Sequence, residues 1–281
     1  MFEDGSQPLE GQVAVVTGAS RGIGRGAALA LAAAGARVYV TGRSAEASIA
    51  DAPGTLQDTL DQIEGGGGQC IVVPCDHAVD DQVAEAFGYI LDDSERIDIL
   101  VNAAWGGFEG ITDQDHPWGA PFWQQPVYRW DAMFDSGVRT YFTASRWVAP
   151  RMIEQKSGLI VMLSYWAAQK YISNVPYGVA KAATDKMVQD MAHELRHHRV
   201  AVVSLYPGLV RTERMQTATQ IFQMRNSESP EFTGRAIVAL ASDPDLLEKS
   251  GEFHVVAQLA QEYGFTDIDG NQPRPATIET S

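Results

Sequence analysis

Tyr177 and Lys181 stand four residues apart in the run Tyr177-Gly178-Val179-Ala180-Lys181. On a helix that spacing puts both side chains on one face. A phenol with an ordinary pKa of about 10 is a poor acid or base at neutral pH. A neighbouring ammonium favours the phenolate and lowers that value, which is the tuning a general acid/base needs. Upstream, Ser164 closes the apolar run Leu159-Ile160-Val161-Met162-Leu163. A hydroxyl at such a strand end could polarise a carbonyl held at the edge of a sheet. Alone, Tyr-x-x-x-Lys is mostly a structural pattern; it gains meaning from the serine and from a glycine loop near the N-terminus.

That loop is Thr17-Gly18-Ala19-Ser20-Arg21-Gly22-Ile23-Gly24. It joins an apolar run to an Ala/Leu-rich stretch. Glycines let the backbone approach a pyrophosphate, and a helix N-terminus offers N–H groups and a positive dipole end. Gly18, Ser20, Arg21, Gly22, Ile23 and Gly24 are therefore candidate cofactor ligands. The bland alternative is an ordinary Gly-rich turn. NAD-selective sites place an acid about 20 residues further on, for the ribose 2′-OH. Here Thr41-Gly42-Arg43-Ser44 stands at that point and no acid does. Arg43 and Arg21 could pair with a 2′-phosphate through charge-assisted hydrogen bonds, or they are solvated surface charges. The expectation is NADP(H) in preference to NAD(H), with NAD(H) still accessible. Asp76, just past the third apolar run, either accepts from an adenine amino group or serves a surface turn.

Short β-branched runs alternate with helical stretches to position these residues. Strands are expected at Val13–Val16, Arg37–Thr41, Ile71–Val73, Ile97–Val101, Leu159–Leu163 and Val200–Leu205, and a last one at Glu252–Val256. Helices are expected at Ala27–Ala34, from Thr55 after a break at Pro53-Gly54, and at Asp80–Leu91, Met133–Glu154, Pro176–His197 and Pro230–Ala241. Continuous apolar strands separated by helices indicate a parallel sheet covered on both faces. The fold class is α/β, a Rossmann-type doubly wound parallel sheet of about seven strands. Two long loops break the alternation, at about 104–127 and 207–229. The first holds Trp105, Phe108, Trp118, Phe122 and Trp123; the second holds Met215, Ile221, Phe222 and Met224. The aromatic set is either a small local core or an apolar substrate wall. Without a repeat or a Pro- or Ser-rich linker, residues 1–281 read as a single domain.

The chain carries 36 Asp+Glu against 21 Lys+Arg, a formal charge of −15. Such a surface repels phosphate backbones, so nucleic acid is not an expected partner. Cys70 and Cys75 lack the spacing of a redox or zinc pair and read as two buried thiols. His193 and His197 have zinc-binding spacing on one helix, but no third ligand is evident, so no metal is expected. No apolar run reaches a membrane span, and Met1-Phe2-Glu3-Asp4 opens no signal peptide. The expected location is cytoplasmic.

Taken together, the glycine loop, Asp76, Val101-Asn102-Ala103-Ala104, Ser164, Tyr177/Lys181 and Pro207-Gly208 resemble the short-chain dehydrogenase/reductase superfamily over nearly the whole length. Gly137-Val138-Arg139, Asn174-Val175-Pro176-Tyr177-Gly178 and Ala192-His193-Glu194-Leu195-Arg196 are similar to the group around dehydrogenase/reductase SDR family member one. The resemblance implies hydride exchange between nicotinamide C4 and a carbonyl or alcohol carbon. It implies Tyr177 as acid/base, Ser164 orienting the substrate, and Lys181 both binding the nicotinamide ribose and tuning Tyr177. It also implies cofactor contacts from Asn102, Pro207, Gly208 and Thr212. Two positions depart from the family pattern. Trp105 stands where a small glycine is usual, and Gly137 where the long helix often carries an asparagine of a water relay. Glycine there could offer its carbonyl and permit a local helix distortion.

The expected function is an NADP(H)-dependent carbonyl reductase/alcohol dehydrogenase acting on an apolar, bulky small molecule, assembled as a homodimer or homotetramer. The alternative, motivated by Gly137 and Trp105, is a dinucleotide-binding sensor or scaffold of weak turnover.

Overall fold

A computed structural model describes residues 7–46, 53–108, 111, 113–216 and 226–281. Ile221, Phe222 and Met224 therefore lie outside the described residues.

The order is β1 (Val13–Thr17), α1 (Gly22–Ala33), β2 (Arg37–Gly42), α2 (Leu56–Gly65), β3 (Gln69–Pro74), α3 (Asp80–Asp93), β4 (Ile99–Asn102) and α4 (Val127–Met133). A π-helical turn, Phe134–Val138, leads into α5 (Arg139–Gln155). Then come β5 (Gly158–Leu163), α6 (Val175–Leu195), β6 (Val200–Tyr206), β7 (Leu209–Val210), α7 (Glu213–Gln216), β8 (Ser227–Glu228), α8 (Pro230–Ala241), β9 (Phe253–Val255) and α9 (Val256–Tyr263). Seven strands form one parallel sheet in the order β3-β2-β1-β4-β5-β6-β9. Every residue of β1, β4 and β6 is buried, as two covered faces require. One face is packed by α1, α2, α8 and α9 around Leu31, Ile63, Phe232 and Val256. The other is packed by α3, α5 and α6 around Phe87, Tyr141, Met152 and Val188.

The local signals work as physics demands. The Thr55 side chain caps α2, accepting from the Asp58 N–H at 3.0 Å, while the Asp58 carboxylate accepts from the Thr55 N–H at 2.8 Å. This is where the break after Pro53-Gly54 places the helix start. Helices α1 and α8 cross so closely that a Cβ at Gly26 would lie 2.2 Å from the Pro230 carbonyl carbon.

The expected helix from Met133 to Glu154 is corrected by the structure. The helical segment begins at Val127 and is interrupted by the π turn, where Ser136 has φ −101° and ψ 23°. An extra residue in a turn slips the 3.6-residue apolar pattern by a single position, a change this segment of mixed polarity does not display. The thiols also differ in part from expectation: Cys75 is buried, but Cys70 is only half-buried. Both are free, and burial pushes each thiol up to about 12.

Between β1 and β4 the sheet reverses its winding, because β1 pairs with β2 on one side and β4 on the other. Thr17 stands beside Asn102 in that register. The loops after β1 and β4 therefore open on the same crevice, the place where doubly wound sheets bind ligands.

Candidate active site

The glycine loop is tight for a visible reason. Gly18 has φ +67°, and a Cβ there would lie 2.6 Å from the Ala104 Cα. At Gly24 a Cβ would lie 2.3 Å from the Gly18 carbonyl oxygen. The turn thus brings the first N–H groups of α1 to the crevice, and the Arg21 side chain makes no cap on them. One of these groups already attracts an anion: the Gly22 N–H donates to the Glu213 carboxylate at 2.9 Å. Glu213 also lies 3.7 Å from Arg25. A dinucleotide's pyrophosphate suits this donor set.

At the end of β2 the Arg21 guanidinium donates to the Ser44 hydroxyl at 2.9 Å and the Gly54 carbonyl at 3.1 Å. Arg43 is exposed beside it. Arg21 is thus anchored on the residue that follows Arg43. Asp76 follows β3; its carboxylate accepts from the Ala78 N–H at 3.0 Å, the turn role that was its alternative. Buried Asn102 donates from Nδ2 to the Ser145 hydroxyl at 3.2 Å. Beyond Pro207, the Gly208 N–H donates to the Glu228 carboxylate at 2.9 Å, and burial pushes the Glu228 carboxyl up to about 7. Thr212 packs toward the loop: a Cβ on Gly22 would sit 3.4 Å from its methyl group. Its hydroxyl accepts from the Met215 N–H at 3.4 Å.

Ser164, Tyr177 and Lys181 meet at the adjoining end of β5. Ser164 is buried and donates from Oγ to the Lys181 carbonyl at 3.3 Å, while its own N–H is held by Leu205 of β6 at 2.9 Å. Asn174 caps α6, accepting from the Tyr177 N–H at 2.9 Å. The same amide donates to the Trp118 carbonyl at 3.2 Å, tying the first long loop to the helix that carries the phenol. Buried Lys181 donates from Nζ to the Leu163 carbonyl at 3.0 Å and lies 5.8 Å from the centre of the Tyr177 ring.

The electrostatics differ from the simple expectation that an ammonium lowers the phenol. Burial raises the Tyr177 pKa, with Tyr165 and Tyr141 adding to the effect. Burial also lowers Lys181 to about 7, opposed by Asp185. With its ammonium turned to a carbonyl, the lysine does not offset the phenol's desolvation. The Tyr177 hydroxyl is therefore held protonated, the state a proton donor needs.

A stability prediction follows with a definite sign. The unfolded lysine has a pKa of about 10.4, well above the folded value of about 7. Between these values the unfolded chain holds a proton that the folded chain lacks, so stability rises with pH across that window. Lys181→Met removes the buried charge and should raise the melting temperature by several degrees below pH 7. The gain should shrink steadily toward about pH 10. A constant gain at all pH values, read by thermal unfolding, would contradict the assignment.

The aromatic set divides. Trp105, Phe108 and Trp118 gather around Tyr177, with ring centres 6.2, 6.1 and 6.1 Å from its own. Phe122 and Trp123 do not join them; they are exposed and meet each other edge-to-face. Arg214 donates to the Phe108 carbonyl, linking the second long loop to the first. Sequence reasoning did not find Glu213 or Glu228. Each carboxylate finds its backbone partner only through the folding of the second loop, and no periodicity marks either one. Among the described residues no group of three or more His, Cys, Asp or Glu could hold a metal ion. No helix among them is long and apolar enough to cross a membrane.

The fold and this edge define a dinucleotide-binding oxidoreductase scaffold, and comparison with known proteins gives its family. The chain belongs to the short-chain dehydrogenase family, whose model matches residues 12–221. Such enzymes bind nicotinamide dinucleotides and act on CH–OH or C=O groups. The chain is 40% identical over 277 residues to dehydrogenase/reductase SDR family member 1 of Mus musculus, covering 94% of this chain and 85% of that one. Among solved structures it resembles a 7α-hydroxysteroid dehydrogenase complexed with NADH and 7-oxo glycochenodeoxycholic acid. That match has a TM-score of 0.74 and 26% identity, and covers 97% of this chain and 99% of the other. It also resembles a metagenomic short-chain oxidoreductase in complex with NADP, with a TM-score of 0.69 and 28% identity, covering 88% and 98%.

Proposed function

We propose that the protein is an NADP(H)-dependent carbonyl reductase/alcohol dehydrogenase for apolar, bulky small molecules. The observation that carries the reading is the convergence of Ser164, Tyr177 and Lys181 at the end of β5, on the same sheet edge as the glycine loop and under a roof of aromatic rings. When bound, the nicotinamide ring gives or takes the hydride. Gly18, Ser20, Arg21, Gly22, Ile23 and Gly24 hold the pyrophosphate, and Arg43 with Arg21 holds a 2′-phosphate. Asp76 receives the adenine amino group. Asn102, Pro207, Gly208 and Thr212 would line the nicotinamide end, and the Gly22 N–H that now donates to Glu213 would serve a phosphate.

For reduction, Ser164 turns its hydroxyl from the Lys181 carbonyl to the substrate oxygen. Tyr177 delivers its proton to that oxygen as negative charge develops there. Lys181 holds the nicotinamide ribose and, once charged, eases proton loss from Tyr177. Trp105, Phe108 and Trp118 exclude water and favour an apolar body on the substrate. A hydroxysteroid dehydrogenase among the structural relatives, bound to a bulky oxo acid, supports that substrate class. The sensor reading is not favoured, because all three proton-handling side chains are present and grouped. The test is NADPH oxidation against a panel of bulky ketones and aldehydes. Tight NADPH binding with no turnover of any would return the sensor reading.

We further read residues 1–281 as one domain that acts in the cytoplasm as a homodimer or homotetramer. Phe142 on α5 is 49% exposed and Tyr89 on α3 is 50% exposed, more apolar surface than a solitary helix face needs. Light scattering at micromolar concentration should give at least twice the mass of the chain. A monomer would refute the assembly.

A further inference from the structure

The indole of Trp105 is clasped between two glycines and a lysine. A Cβ at Gly137 would lie 2.7 Å from the indole Cε3 and Cζ3. One at Gly107 would lie 2.5 Å from Cε2 and Cζ2. Neither position can carry a side chain while the ring stays where it is. Over the ring, the Lys181 ammonium stands 3.9 Å from the centroid. The ring also meets Tyr177 edge-on, at 6.2 Å and 74°.

The lysine needs this neighbour. Its ammonium is buried, and one of its three donors goes to the Leu163 carbonyl. Among the described residues no carboxylate forms an ion pair with it. Asp185, one turn further along α6, accepts instead from the Ser204 hydroxyl at 2.8 Å and from the Tyr206 hydroxyl. Besides the Coulomb field of the Asp185 carboxylate, the negative face of the indole is the partner left to a desolvated cation, the setting in which such contacts are strongest.

We propose that Trp105 is a positioning residue. Its indole face fixes the Lys181 ammonium between Tyr177 and the nicotinamide ribose, and Gly107 and Gly137 are glycine because the ring occupies the space of their Cβ atoms. This rests on the roles given above to Tyr177 and Lys181. The replacement of a small residue by indole at 105 and the bare α-carbon at 137 are then one compensated change, not two defects.

The test exploits the lysine count: the chain has five, Lys156, Lys170, Lys181, Lys186 and Lys249. Selective isotope labelling of lysine gives five ε-methylene signals, and Lys181→Met identifies one by its loss. The Lys181 signal should lie upfield of the other four, shifted by the ring current of the indole. Trp105→Phe should keep part of that displacement, and Trp105→Leu should abolish it. NADPH titration should show affinity lowered about ten-fold in Trp105→Leu but restored to within about three-fold in Trp105→Phe. Gly137→Ala should weaken NADPH in the parent chain and do no further harm beside Trp105→Leu, since no ring remains to displace. Should Trp105→Leu fail to fold, the parent signal and Gly137→Ala decide. An undisplaced Lys181 signal, or Trp105→Leu binding NADPH like the parent, would overturn the proposal. Those outcomes are separate from the reading of the site itself, which fails if Tyr177→Phe remains active or if no carbonyl compound is turned over.

Discussion

Tyr177→Phe should lower turnover of a good ketone at least ~100-fold, within the range of about 10²–10⁴ for general acid–base catalysis. Ring volume is kept, so the packing of Trp105, Phe108 and Trp118 against it survives, and with it folding and NADPH affinity. Among the described residues no hydrogen bond holds the Tyr177 hydroxyl, so its loss leaves no buried partner unsatisfied. Lys181→Ala should lower turnover as well but also weaken NADPH if, as proposed, one ammonium serves both phenol and ribose. In the double variant the two effects should be far from additive, since both act on one proton transfer. Near-normal turnover by Tyr177→Phe would mean that the proton comes from elsewhere.

The second large effect concerns cofactor choice. Arg43 is exposed at the end of β2, and Arg21 is anchored nearby on Ser44 and Gly54. Hydrogen bonds to a charged group contribute about 1.5–3 kcal/mol, a factor of roughly 10–100. Arg43→Asp removes one such partner from a 2′-phosphate and offers an acceptor to a 2′-OH. The ratio of NADPH to NADH efficiency should fall by about 100-fold or more, from loss on one side and gain on the other. An unchanged ratio, from kcat/KM with each cofactor, would remove Arg43 from the cofactor site.

Much of this molecule is legible in its sequence, and the exceptions share a cause. The seven parallel strands follow from continuous apolar runs, and α2 starts at its Thr55 cap. The loop after β1 and the Ser164, Tyr177 and Lys181 grouping follow from spacing. Contacts between distant segments do not. Gly137 and Trp105 look like two independent departures until the indole is found against the Gly137 α-carbon. The π turn at Phe134–Val138 leaves no mark in apolar periodicity. Trp118 and Trp123 look alike in the sequence, yet one turns to Tyr177 and the other to solvent. Glu213 gains meaning only when the second loop brings it to the Gly22 N–H. The lowered Lys181 and raised Tyr177 values are likewise products of burial, which spacing alone cannot give.

The central claim is hydride exchange between a nicotinamide and a carbonyl carbon at this edge of the sheet. It is tested most directly with NADPH deuterated at C4 of the nicotinamide, in each stereochemical form, and a bulky ketone that the protein consumes. Mass spectrometry of the alcohol should find one deuterium on the carbinol carbon from one form only, with the signal lost in Tyr177→Phe. Deuterium absent from the alcohol, or bound NADPH left unoxidised by every carbonyl compound tried, would contradict it.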